Sequence, residues 1–220
     1  MSSNQLWFEK YRPKCIKDMF LSNSDKTTIT KWINDFKKKK EGYKNCLLLF
    51  GPPGIGKTTL ANIILNENNF DPIEFNASEF RNQKLIKEHI EEINGNINVL
   101  DFMCQKKKQM GIIMDEIDGM SSGDRGGLAE LINIMFKKNK NKDFNSSPFI
   151  CITNTIDKKI KSIKDKSCYI KFSSPNNFQL TLLLKRILEN ENIKLEDESI
   201  LNNIAKHSQY DFRRLINLAE

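Results

Sequence analysis

The residues able to do chemistry concentrate in one short stretch. Gly51-Pro52-Pro53-Gly54-Ile55-Gly56-Lys57-Thr58-Thr59 follows the GxxxxGK[ST] spacing. Its glycines let the backbone fold into a nest of N–H groups that converge on phosphate oxygens. A helix opening at Lys57 would add the positive end of its dipole. Lys57 is then placed against β- and γ-phosphates, and Thr58 offers its hydroxyl to Mg²⁺. The implied ligands are a nucleoside triphosphate and Mg²⁺.

A second chemical pair lies about sixty residues on. Asp115-Glu116 ends the apolar run Met110-Gly111-Ile112-Ile113-Met114. In a parallel sheet this puts both carboxylates at the edge where ligands bind. Asp115 is a candidate for holding the metal, and Glu116 for activating a water against the γ-phosphate. Asn154 ends a third apolar run, Pro148 to Ile152. Its amide can hold a water or touch the γ-phosphate.

These groups need a scaffold, and the pattern supplies one. Cys46-Leu47-Leu48-Leu49-Phe50 reads as a buried strand feeding the glycine loop. Leu60, Ile63 and Ile64 mark a helix after it. Further strands are expected at 71–75, 110–114, 148–152 and 169–172. Helices are expected at Ser24–Phe36 with Ser24 as N-cap, at 83–93 and at 128–138. Ser174-Pro175 announces an all-helical end, with Ser174 as N-cap and Pro175 at the first helical position. Helices are expected there at about 176–191 and 197–207, with another starting at Asp211. The fold class is therefore α/β, a three-layer parallel-sheet P-loop NTPase core followed by a small helical lid. The expected domains are 1–174 and 175–220. Pro13 argues that residues 1–20 form an extended segment, with Trp7, Phe8, Tyr11 and Phe20 as aromatic anchors.

The totals agree with a soluble globular protein: 220 residues, 29% charged and 39% apolar. No apolar run reaches the roughly eighteen residues of a membrane span, and the N-terminus lacks a signal peptide's apolar core. No membrane partner is expected. The five cysteines show no CxxC pairing, and Cys46 and Cys151 fall inside apolar runs. That points to buried, reduced thiols and an intracellular setting. With only two histidines, no histidine-based metal site is expected. The net charge of +7 suits polyanion partners. Lysines that merely solvate the surface, as in Lys37–Lys40, explain it equally well.

Taken together, Trp7-Phe8-Glu9-Lys10-Tyr11-Arg12-Pro13-Lys14, GPPGIGKTT at 51–59, Phe75-Asn76-Ala77-Ser78-Glu79, IIMDEIDGM at 112–120 and Asp211-Phe212-Arg213-Arg214 resemble AAA+ sliding-clamp loaders of the replication factor C type. The resemblance spans essentially the whole chain. DEIDGMSSGDRGGL at 115–128 looks like the large subunit, because small subunits usually carry a shorter acidic motif there. Small subunits also carry Ser-Arg-Cys, whose arginine reaches a neighbour's ATP site. The matching positions here are Lys166-Ser167-Cys168, so this chain is expected not to donate such an arginine; it can still receive one.

The resemblance implies further roles. Asn154 matches sensor 1, and Arg213 matches sensor 2, which closes the lid onto the γ-phosphate. With Lys57 and Glu116 these are the implied catalytic groups. Tyr11, Arg12 and Pro13 match the segment bordering the adenine, beside Gly51–Thr59. Arg81 matches a residue that restrains the catalytic glutamate until DNA binds. Ile97, Leu100 and Phe102 resemble the anchors of a clamp-binding plug. Lys84 and Arg125 are candidate DNA phosphate contacts.

Implied partners are clamp-loader small subunits, one supplying an arginine finger, together with a sliding clamp and primer–template DNA. The implied activity is ATP hydrolysis, weak without those partners. The implied setting is the nucleus if the source is eukaryotic, otherwise the cytoplasm or a viral replication site. The family's helical collar is not found in these 220 residues; a fragment and a split gene product both account for that. Three other readings stay open. One is a nucleotide-binding scaffold subunit with little hydrolysis. Another is the large subunit of a checkpoint or cohesion loader. The third, a small-molecule P-loop kinase, fits the helical lid poorly.

Overall fold

The computed structural model describes residues 5–77, 109–121, 127–136, 147–194 and 199–220. Five strands form one parallel sheet among these residues: β1 Cys46–Phe50, β2 Phe70–Asn76, β3 Gln109–Asp115, β4 Phe149–Thr153 and β5 Cys168–Lys171. Their order across the sheet is β2-β3-β4-β1-β5. Each observed strand contains or overlaps its expected one, displaced by a residue at most at either end.

The sheet is covered on both faces, which is why its inner strands β3, β4 and β1 read as near-continuous apolar runs. In β1 the side chains alternate between two cores. Cys46, Leu48 and Phe50 face one; Leu47 and Leu49 face the other. The first core is closed by α4 Asp118–Ser121, α5 Gly127–Phe136 and α6 Lys158–Lys166, through residues such as Met120, Leu131 and Ile163. The second is closed by α2 Asn23–Lys37 and α3 Lys57–Glu67, through Ile29, Trp32, Leu60 and Ile64. Leu47, Leu48 and Leu49 are fully buried, each worth about 1.5–3 kcal/mol of burial. Cys46 and Cys151 are buried and free, their sulfurs 3.7 Å apart on neighbouring strands.

The helical end is α7 Asn177–Asn190, α8 Ser199–His207 and α9 Phe212–Ala219. Leu180, Leu184, Leu188, Leu201, Ala205 and Leu215 form its own small core. Among the described residues, no helix is long and apolar enough to cross a membrane.

Three local expectations are corrected. The cap of α2 is Ser22, whose Oγ accepts the N–H of Asp25 at 3.0 Å. Ser24 already lies inside the first turn, where its carbonyl accepts the Thr28 hydroxyl. The cap of α7 is Asn176, not Ser174; Asn176 and Gln179 form a reciprocal capping box, and Pro175 stays outside the helix. Residues 1–20 are not wholly extended either. α1 spans Trp7–Lys10, followed by a 3₁₀ turn at Ile16–Asp18. Pro13 disfavours helix only in the residue before it, so α1 is free to form upstream. α6 was not expected at all. Only Ile160 and Ile163, one turn apart and fully buried, mark it among lysines.

Gly111 shows how tightly β3 meets α3. A Cβ there would fall 2.5 Å and 2.7 Å from the two methyl carbons of Leu65, which is itself fully buried. Gly111→Ala is expected to destabilise the chain by about 1–3 kcal/mol through overpacking. Urea unfolding of the two proteins measures this directly, and an unchanged midpoint counts against the close packing.

Candidate nucleotide site

Parallel register brings the chemistry to one edge. Phe50, the last residue of β1, pairs with Thr153 at the end of β4. Asp115 ends β3 and pairs with Asn76 at the end of β2. Backbone hydrogen bonds tie the following loops together: Gly51 N–H to Thr153 O, Ile117 N–H to Ile152 O, and Phe172 N–H to Phe50 O.

The glycine loop needs its glycines at two positions above all. Gly51 has φ +149°, and a Cβ on it would lie 2.5 Å from the carbonyl oxygen of Phe172. Gly54 has φ +70°, and a Cβ there would lie 1.9 Å from Asp211 Oδ2. α3 starts at Lys57 directly after Gly56, so its N-terminus faces the loop.

Lys57 is 6% exposed. Its ammonium donates to the carbonyls of Gly51 at 2.8 Å and Pro52 at 2.6 Å, and to Asn154 Oδ1 at 2.8 Å. Burial lowers its pKa below 10.5, while the charges of Asp115, Asp118 and Asp211 act the other way. The Thr58 hydroxyl donates to Asp115 Oδ2 at 2.6 Å. Asp115 Oδ1 accepts the N–H of Glu116. Glu116 itself has φ +55°. A non-glycine residue held there stores backbone strain, a feature concentrated at active sites.

The lid reaches the same place. Asp211 caps α9 by accepting the N–H of Arg214, and the N–H of Phe212 donates to the carbonyl of Gly54 at 3.1 Å. A cavity of about 260 Å³ runs between sheet edge and lid. Its wall includes Pro53–Thr59, Asp115, Glu116 and Asn154 from the core, Arg213 from the lid, and Tyr11, Arg12 and Pro13 from the N-terminal segment. Gly51 and Pro52 contribute through the carbonyls that hold Lys57. Arg81, Lys84, Ile97, Leu100, Phe102 and Arg125 lie outside the described residues.

Some cavity residues were missed in the sequence. Leu183 and Ile216 from the lid add apolar lining to the cavity. Nothing in their types distinguishes them from core residues. Asp118 was missed too; its Oδ2 accepts the backbone N–H of Asn154 at 3.3 Å, and its place in the acidic run 115–118 was the available signal.

The donor set suits a magnesium polyphosphate. It offers a buried ammonium, a helix N-terminus, a glycine nest, and a hydroxyl paired with a carboxylate. A fold with this loop at the end of β1, this sheet order and a helical lid over the loop is a P-loop NTPase. The family model described as "ATPase family associated with various cellular activities (AAA)" matches residues 47–172, more than half of the chain. The chain belongs to this family, and the AAA domain gives it the capacity to bind and hydrolyse ATP. A model of parvovirus non-structural protein NS1 matches residues 3–71.

Among curated proteins, the chain is 34% identical to the replication factor C large subunit of Methanococcus aeolicus, over 96% of this chain and 42% of that protein. It is 34% identical to the large subunit of Nanoarchaeum equitans, over 96% of this chain and 46% of that protein. It is 30% identical to replication factor C subunit 1 of Schizosaccharomyces pombe, over 98% of this chain and 24% of that protein. The chain thus spans less than half the length of these relatives. Among solved structures, the Holliday junction branch migration motor RuvB of Thermotoga maritima superposes with a TM-score of 0.63 at 20% identity, covering 95% of this chain and 64% of that one. That likeness concerns the fold alone.

Two measurements test this geometry. Gly54→Ala strains the loop and drives a methyl into Asp211, so nucleotide affinity should fall at least about tenfold. Titration with a fluorescent ATP analogue reads it, and retained affinity would show that the loop has room. The second concerns pH. A bound polyanion favours the ammonium form of Lys57, so affinity is full below the folded pKa and declines as pH rises through it, beginning below 10.5. Lys57→Arg keeps its charge throughout this range. Whatever affinity it retains should lack the alkaline decline.

Proposed function

We propose that this chain is an ATP-hydrolysing subunit of a clamp loader of the replication factor C large-subunit kind. The carrying observation is the joint placement of Lys57 against Asn154 and Thr58 against Asp115 at one sheet edge. The similarity to replication factor C large subunits runs over nearly the whole chain, which selects this reading among P-loop enzymes.

In this reading Lys57 exchanges its loop carbonyls for β- and γ-phosphate oxygens. Thr58 and Asp115 hold Mg²⁺. When bound, the metal neutralises charge on the transferred phosphoryl group. Glu116 accepts the proton of the attacking water, and Asn154 orients that water or the γ-phosphate. Arg213 brings the lid onto the γ-phosphate. Tyr11, Arg12 and Pro13 border the adenine. Catalysis is then mostly positioning and charge neutralisation.

Lys166 stands at the end of α6, its ammonium 5.7 Å from the centre of the Phe136 ring. With no arginine at 166–168, the chain offers none from this motif, and its own site can still receive one from a neighbour. Partner small subunits, a sliding clamp and primer–template DNA complete the assembly. ATP binding closes the lid and lets the ring grip clamp and DNA; hydrolysis releases the clamp. Arg81 restrains Glu116 until DNA arrives. Ile97, Leu100 and Phe102 seat the clamp, and Lys84 and Arg125 meet DNA phosphates.

Steady-state ATP turnover tests the proposal, with the chain alone and then with small subunits, clamp and primed DNA. Turnover should be slow alone and rise about 10³–10⁵-fold once an arginine arrives in trans. Glu116→Gln should keep ATP binding and lose that rise. Fast turnover by the isolated chain, indifferent to partners and DNA, would remove the clamp-loader reading.

A further inference from the structure

The N-terminal segment joins the two halves of the cavity wall. On the lid side, Trp7 packs onto the small helical core, and its N–H donates to Glu220 Oε2 at 3.2 Å. Phe20 stacks on Phe212 with ring centres 5.4 Å apart. On the core side, the N–H of Ile16 donates to Glu67 on α3, and Met19 is buried against α3's face of the sheet. Between these anchorages lies Tyr11, a residue of the cavity wall.

The ring of Tyr11 meets that of Trp7 edge-on, centres 6.3 Å apart, but its hydroxyl is held from far along the chain. Its hydroxyl donates to Glu191 Oε1 at 2.7 Å, and the ammonium of Lys10 meets the same oxygen at 2.6 Å. Glu191 follows the last residue of α7 and so belongs to the lid. Its side chain is 19% exposed. It is not part of the cavity wall. The hydrogen bonds of Lys10 and then Tyr11 hold its carboxyl below the ordinary value of 4.5, so it is ionised at neutral pH. One lid carboxylate therefore fixes a residue that faces the cavity, without reaching the cavity itself.

We propose that Glu191 is a positioning residue for nucleobase recognition: held on the lid, it orients Tyr11 so that the base end of the cavity is complete only when the lid is docked. The ligand class is a purine nucleoside triphosphate. The inference rests on the nucleotide-site reading above and adds to it a link between lid position and base affinity. The phosphate end, built on Lys57 and Thr58, meets the lid through α9 and not through Glu191.

Calorimetric titration with Mg-ATP and with inorganic tripolyphosphate separates the two ends. Glu191→Ala and Tyr11→Phe should each weaken ATP about fivefold, the scale of losing one hydrogen bond to a charged group at a partly exposed site. The double variant should be no weaker than either single one. Tripolyphosphate affinity should stay within about twofold of wild type in all three. Glu191→Gln keeps an oxygen for the Tyr11 hydroxyl and should restore most ATP affinity. If Glu191→Ala fails to fold, Tyr11→Phe, which removes the same hydrogen bond, carries the comparison. Unchanged ATP affinity in both single variants overturns the assignment. So does an equal loss for ATP and tripolyphosphate, which a generally loosened lid would produce, and so do additive losses in the double variant. Wild type that binds neither ligand would instead remove the nucleotide-site reading itself.

Discussion

The ammonium of Lys57 is the point on which the site's arrangement depends. It is buried, and its three donated bonds join the loop after β1 to the residue after β4. A buried cation without such partners would lose its charge or unfold its surroundings. The loop carbonyls and Asn154 satisfy it here, and Asp115, Asp118 and Asp211 favour its charge. Those carboxylates come from the end of β3, the start of α4 and the lid. The charge of one residue thus draws together three separate parts of the chain. A phosphate group offers the same ammonium a stronger set of acceptors.

Rigidity and mobility are divided by construction. The sheet edge rests on β1, which is buried on both faces and hydrogen-bonded to β4 and β5 on its two sides. Nothing there can move without exposing apolar surface. The lid has its own small core and meets the glycine loop through one backbone bond, Phe212 to Gly54. The N-terminal segment crosses between them, with aromatic and charged contacts on the lid side and Met19 in the larger core. Closure of the lid therefore reaches the cavity by two routes: α9 at the phosphate end, and the segment carrying Tyr11 at the other.

What the sequence by itself determined is the part governed by local spacing. Only glycine tolerates the loop's positive φ values and the close approach at 51 and 54, so the motif and its geometry are one statement. An apolar run ending in acid about sixty residues after such a loop reads as a buried strand with its carboxylates at the ligand-binding edge, and β3 with Asp115 is that strand. Sheet membership, the helical lid and the grouping of Lys57, Thr58, Asp115 and Asn154 were legible for this reason. Helix starts were less so: Ser22 and Ser24 are chemically alike, and only the placement of the Asp25 N–H distinguishes them.

Tertiary structure alone decided what depends on residues far apart in the chain. Tyr11 and Glu191 are separated by 180 positions, and no local pattern joins a phenol to a carboxylate at that distance. Leu183 and Ile216 look like any core residues; that they face a cavity follows from how lid and sheet leave space between them. The left-handed backbone of Glu116 is likewise invisible in its residue type. It arises because Asp115 and Ile117 are each pinned, to β2 and to β4, and the residue between them must absorb the turn.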